Sequence, residues 1–171
     1  LPTGVGGSYG GGIFTIIGTP TVSGTFNYTV TTTGTCTQAS LGGTITVNVL
    51  PTASAGPALA AICQGGTSSP LGGIVGGSAT GGTWSTASGG TFSPNATTLN
   101  ATWSPPAGFS GTATLTLTSS GGSCGSATAS KTQVVNPNAV IVLTTGSSTQ
   151  TVCQNSAIGN IVYTISGGGT G

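Results

Sequence analysis

Residues 112–118 read Thr-Ala-Thr-Leu-Thr-Leu-Thr, so every second side chain is apolar and its neighbours are threonines. Phe26-Asn27-Tyr28-Thr29-Val30 and Thr44-Ile45-Thr46-Val47-Asn48-Val49 repeat the pattern. A strand sends successive side chains to opposite faces, so a period of two in β-branched and aromatic residues marks half-buried strands. Nowhere do apolar residues recur at helical spacing for three turns, and 33 glycines in 171 residues work against helix. The chain is therefore expected to be all-β. A disordered linker is the competing reading of so much glycine. Disorder, however, pairs low hydrophobicity with high net charge, whereas here the mean hydropathy is +0.33 and the net charge +1.

An internal repeat sets the domain organisation. Ser23-Gly24-Thr25 opens a strand that leads to Cys36 and a closing Val47-Asn48-Val49-Leu50-Pro51. Eighty-seven residues on, Ser110-Gly111-Thr112 opens another that leads to Cys124 and closes with Val134-Val135-Asn136-Pro137. A second echo, displaced by ninety, sets Ile62-Cys63-Gln64 against Val152-Cys153-Gln154. Residues 51–137 hold both marks in order and make one intact domain. Residues 138–171 hold only an early half and residues 1–50 only a late half. Joined tail to head, these two make 84 residues against 87 for the intact domain. The reading is one whole domain, and a second split between the two ends and completed head to tail by a neighbouring copy.

Within the intact domain, strands are expected near 59–63, 71–76, 82–86, 98–104, 111–118 and 128–135. Gly65-Gly66, Gly76-Gly77, Gly89-Gly90, Pro105-Pro106 and Gly121-Gly122 punctuate them. Short strands at this spacing argue for a β-sandwich. Half a sandwich leaves sheet edges and an apolar face open to water, and a head-to-tail contact that does not close into a ring makes a filament. Either separate chains complete one another, or the sequence is one period of a continuous tandem protein. The first residues show no basic segment leading into an apolar core, so the chain reads as an interior or mature piece of something longer. No run approaches the ~20 apolar residues of a membrane span.

The residues also carry a family resemblance. Leu1-Pro2-Thr3-Gly4-Val5, Ile13 to Pro20 and Ser23 to Val30 resemble the immunoglobulin-like repeats of very large bacterial surface proteins. Ala55-Gly56-Pro57, Ile62 to Gly66, Gly82-Thr83-Trp84-Ser85 and Phe92 to Thr97 are similar to the PKD-like repeats of Bacteroidetes adhesins. The resemblance covers essentially the whole chain. It implies tandem β-sandwiches in an exported stalk or surface fibre.

Cys36, Cys63, Cys124 and Cys153 contain no C-x-x-C pair, which argues for structural disulfides in an oxidising setting rather than metal or redox use. The expected pairs are Cys63–Cys124 within the intact domain and Cys36–Cys153 across neighbouring copies. Closing a loop of this size contributes about 4 kcal/mol on the chain-entropy estimate.

Charge excludes more than it suggests. Lys131 is the only charged side chain, with no Asp, Glu, Arg or His. General acid–base catalysis needs a group titrating near neutrality, calcium and magnesium need carboxylates, and nucleic-acid binding needs many basic residues. No enzyme, metal, cofactor or nucleic-acid partner is therefore expected. Lys131 is read as a solvated strand lysine rather than half of a Ser–Lys dyad, and the glycine tracts as turns rather than phosphate cradles. Asn27, Asn95 and Asn100 stand in N-x-[ST] sequons, read as coincidence in a threonine-rich chain. Trp84 and Trp103 are read as core residues. The alternative is a glycan-binding face of exposed rings, for which Tyr9, Trp84 and Phe109 are the candidates. The Thr-x-Thr ladders also raise an ice-binding reading, disfavoured because sheets in sandwiches twist. The reading preferred is a structural extracellular filament or adhesin stalk, assembled from copies of itself.

The charge count carries its own prediction. No internal side chain has an ordinary titration range between about pH 4 and 8, so thermal unfolding curves recorded across that interval, and between low and high salt, should superimpose. A melting temperature that moves by several degrees on mild acidification would contradict this.

Overall fold

In the computed structural model, which describes residues 1–168, alternation turns into strands wherever it was strong. No helix occurs among the described residues. The N-terminal part holds two antiparallel ribbons: β1 (Val5–Gly10) with β2 (Ile13–Gly18), and β3 (Gly24–Thr31) with β4 (Ser40–Val47). Residues 51–137 hold β5 (Thr52–Ser54), β6 (Ile62–Cys63), β7 (Ile74–Gly76), β8 (Gly81–Ser85), β9 (Thr91–Ser93), β10 (Thr102–Ser104), β11 (Gly111–Ser120) and β12 (Thr128–Asn136). A last ribbon pairs β13 (Val140–Thr145) with β14 (Val162–Ser166). Of the strands expected in the middle segment, all six are present. The two that were missed, β5 and β9, have three residues each, too few for an alternation to register.

The middle segment is organised by one four-stranded sheet of order β6-β12-β11-β8. β11 pairs antiparallel with both β12 and β8, whereas β6 runs parallel to the end of β12, with Ile62 opposite Val135 and Cys63 opposite Asn136. Along β11 the inward residues Ala113, Leu115 and Leu117 are fully buried, while Thr112 and Thr114 face water. That is the period-two reading made physical. Ribbons β5–β7 and β9–β10 supply further members of the same core, in which Leu71, Trp84, Trp103 and Val135 are closed to solvent.

Both tryptophans solve the problem of a polar N–H in an apolar place by donating to a backbone carbonyl. Trp84 Nε1 donates to Leu99 O and Trp103 Nε1 to Gly89 O, each at 3.0 Å. Phe109 sets its ring edge-on to Trp103, with centroids 6.1 Å apart and planes at 85°. Gly73 must be small, because a Cβ there would lie 2.8 Å from the Trp84 ring and 2.9 Å from the Leu117 side chain.

Every member of the buried core cluster lies between residues 55 and 135. The middle segment should accordingly fold alone. A polypeptide of residues 51–137 is expected to unfold in one cooperative transition, and Trp84→Ala should cost it about 3–5 kcal/mol. Chemical denaturation followed by Trp fluorescence checks both; a fragment without a cooperative transition would refute the domain boundaries.

Candidate functional site

The two ends repeat the architecture of the middle segment without its closure. Ribbon β3–β4 is the counterpart of β11–β12: Gly24 faces Val47 as Gly111 faces Val135. Cys36 and Cys124 each stand four residues before the returning strand. Ribbon β13–β14 is the counterpart of β5–β7, with Ile141 facing Ile165 as Ala53 faces Val75. The turns agree as well. Gly77 and Gly167 both adopt positive φ (64° and 71°), and a Cβ at either would strike the carbonyl of the residue two before its ribbon, Leu50 or Asn138.

What differs is burial. Tyr28 and Val30 occupy the places of Leu115 and Leu117, yet they line an open groove with Phe14, Ile16 and Leu41. In the middle segment the equivalent positions are covered by residues of the early half, Leu71, Val75 and Trp84 among them. Among the described residues of the N-terminal end, no counterpart of these early-half side chains is present. β11 and β12 have β8 and β6 on their outer edges, whereas β3 and β4 pair only with each other among the described residues. The C-terminal ribbon is open in the complementary sense, with Ile141 65%, Tyr163 48% and Ile165 40% exposed. Of the twenty large hydrophobic side chains exposed among the described residues, eighteen lie outside 51–137. A soluble chain leaves scattered apolar residues exposed, but two apolar faces with matching strand patterns form candidate interfaces.

The intradomain Cys63–Cys124 pairing requires a correction. All four are free thiols and exposed. Cys63 sits opposite Asn136, at the end of β12, while Cys124 precedes its start. The nine residues of β12, at ~3.3 Å each, put roughly 25–30 Å between them, far beyond the ~4.4–6.8 Å between Cα atoms that a disulfide tolerates. Residue spacing alone did not reveal that the two thiols lie at opposite poles. Cys124 instead meets the incoming chain: its Sγ is 3.8 Å from the carbonyl oxygen of Asn48. Cys36 lies in the β3–β4 connection, and Cys153 in the β13–β14 connection.

Two of the three candidate aromatic rings are also corrected. Trp84 is buried in the core and Phe109 is packed against Trp103, both positioned by the apolar interior rather than presented to a ligand. Tyr9 is 74% exposed. Nor is Lys131 a freely solvated strand lysine. It shares the inner face of β12 with Gln133 and Val135, donates to Pro57 O at 3.2 Å and to Leu71 O, and holds its ammonium 5.6 Å from the centre of the Trp84 ring. Burial lowers its pKa below the ordinary 10.5. The sequon asparagines serve as local acceptors: Asn95 Oδ1 takes the N–H groups of Thr97 and Thr98, Asn100 Oδ1 that of Gly72, and Asn27 Oδ1 the Thr44 hydroxyl.

In comparisons with known proteins, no protein-family model and no curated protein matches the chain.

Lys131 yields a test of the core's only charge. Lys131→Ala removes the donor of two carbonyls and a cation over Trp84, and should destabilise the middle domain by about 1–3 kcal/mol. The pH dependence has a definite sign. A lysine pKa lowered in the folded state means the unfolded chain holds the proton longer, so stability rises with pH in the interval ending near 10.5. Relative to Lys131→Met, the unaltered protein should gain stability there; a loss would reverse the assignment.

Proposed function

We propose that this chain is a structural repeat unit of an extracellular filament or adhesin stalk, continued head to tail by copies of itself. The observation that carries the reading is the pairing of two open, complementary halves around one closed domain. The N-terminal half offers a groove lined by Phe14, Ile16, Tyr28, Val30 and Leu41. The C-terminal half offers Ile141, Val152, Tyr163 and Ile165, of which Val152 and Ile165 stand where Ile62 and Val75 pack against the core of the middle domain. Adding this half to the β4 edge, as β6 adds to β12 in the middle domain, is strand addition, in which main-chain hydrogen bonds supply affinity and alternate side chains supply register.

The completed junction presents the same two faces at every step, so the contact is heterologous and propagates. It holds whether the neighbour is a separate chain or the next period of one polypeptide. Near-zero net charge favours association, and four cysteines in a small-residue chain suit an oxidising, cell-surface location. The role is mechanical, giving reach and cohesion. A glycan-binding module is the weaker reading, since Trp84 and Phe109 are committed to the core and Tyr9 alone is presented. Ice binding has no further support.

The test is concentration-dependent assembly. Light scattering on the chain should show growth in steps of 16.1 kDa, and two copies joined in one polypeptide should gain a second cooperative unfolding transition. Val30→Lys, which places a charge in the groove, should abolish both while leaving the middle domain's own transition unchanged. A chain that remains monomeric, together with a joined pair that gains no second transition, would overturn the proposal.

A further inference from the structure

We infer that the four cysteines form disulfides across domain junctions, Cys124 with Cys153 of the preceding copy and Cys63 with Cys36 of the following one. The inference rests on the head-to-tail reading above and adds a covalent partner to each thiol.

The argument turns on Asn48. In the middle domain, the counterpart Asn136 stands opposite Cys63 across the parallel β6–β12 pair, and its carbonyl accepts the Gln64 N–H at 2.8 Å. The repeat makes Val152-Cys153-Gln154 the counterpart of Ile62-Cys63-Gln64, and Val47-Asn48 the counterpart of Val135-Asn136. When the C-terminal half of a preceding copy completes the β3–β4 ribbon, the same register sets its Cys153 opposite Asn48. The Asn48 carbonyl already lies 3.8 Å from Cys124 Sγ within the chain. One residue thus has both cysteines beside it, one from each domain.

The second junction follows by the same correspondence. Cys36 is to β4 what Cys124 is to β12, so in the domain completed after residue 137 the following copy's Cys36 lies beside Asn136. Asn136 already has Cys63 opposite it. The pairs expected from spacing, Cys63–Cys124 and Cys36–Cys153, would each have to cross a domain from pole to pole.

Each bridge forms by loss of two protons and two electrons from two thiols. An external disulfide such as oxidised glutathione accepts them and is itself reduced to two thiols. The leading and trailing poles of successive domains supply one thiol each, so the bridge needs no rearrangement inside either domain.

The experiment uses two copies joined in one polypeptide, equilibrated in a glutathione redox buffer, alkylated without reduction and digested with elastase, because one lysine gives trypsin almost no sites. With the joined pairs kept dilute enough not to associate with one another, the expected result is two disulfides and four alkylated thiols among eight cysteines. Cross-linked peptides should join Cys63 of the first copy to Cys36 of the second, and Cys153 of the first to Cys124 of the second. Cys124→Ser should delete the second link and leave the first. Hydrogen exchange on the reduced protein reads the junction domain separately. Protected strands at the joined ends without these links, or with Cys63–Cys124 or Cys36–Cys153 links, would overturn the disulfide inference alone. Unprotected ends would overturn the head-to-tail reading and this inference with it.

Discussion

A two-stranded ribbon cannot bury its own apolar face, and everything distinctive about this chain follows from where that constraint is met and where it is not. Alone in water, a ribbon of this kind is marginal, and three or more strands or a covering layer are needed for independent stability. In residues 51–137, β11 and β12 gain β6 and β8 at their edges and two further ribbons across the core. The same hairpin at 24–47 gains neither. One hairpin design therefore occurs in two states, closed and open, within a single chain. The difference lies in the neighbours and not in the hairpin sequence.

The near-absence of charge shapes how the closed state is held. With no carboxylate to pair with, the lone ammonium of Lys131 is satisfied by the carbonyls of Pro57 and Leu71 and by the face of Trp84. Backbone oxygens thus do what acidic side chains do elsewhere. The outer face of the sheet is left to hydroxyls, such as the Thr116–Ser130 pair at 2.9 Å. Such a surface neither attracts nor repels its copies electrostatically, so specificity at a junction must come from strand register and side-chain shape.

Much of the fold was legible in the sequence, because alternation is a direct image of a half-buried strand. The burial of Ala113, Leu115 and Leu117 could be read from residues 112–118 alone. The inward position of Lys131 was legible too: Val135 and Gln133 lie on the same two-residue period, and the charge hid that signal. The thiol positions were not legible. A separation of 61 residues between Cys63 and Cys124 is compatible with contact or with opposite poles. Only the parallel β6–β12 pairing decides that Cys63 belongs at the far end of β12 from Cys124. Three-residue strands escaped for a related reason, since their place is set by partners distant in sequence.

Junction bridges and intradomain bridges have different mechanical consequences. An intradomain Cys63–Cys124 link would shorten the extension of one unfolded domain and leave every junction joined by a single peptide. Junction links, in the head-to-tail assembly proposed above, would instead thread a fibre with two covalent lines. One runs from Cys36 to Cys63 and on to the next copy's Cys36, the other from Cys124 to Cys153 and on to the next Cys124. These lines use only 27 and 29 residues of each 171-residue period. Fully extended, at ~3.3 Å per residue, either line reaches roughly 90–100 Å per period, against well over 500 Å for the unbridged chain. In that assembly a period would hold two domains in series, each at least the ~30 Å of a nine-residue strand. Tension would thus be borne by nearly straight backbone before the domains could unravel, leaving the remaining residues of each period to keep those two lines in register.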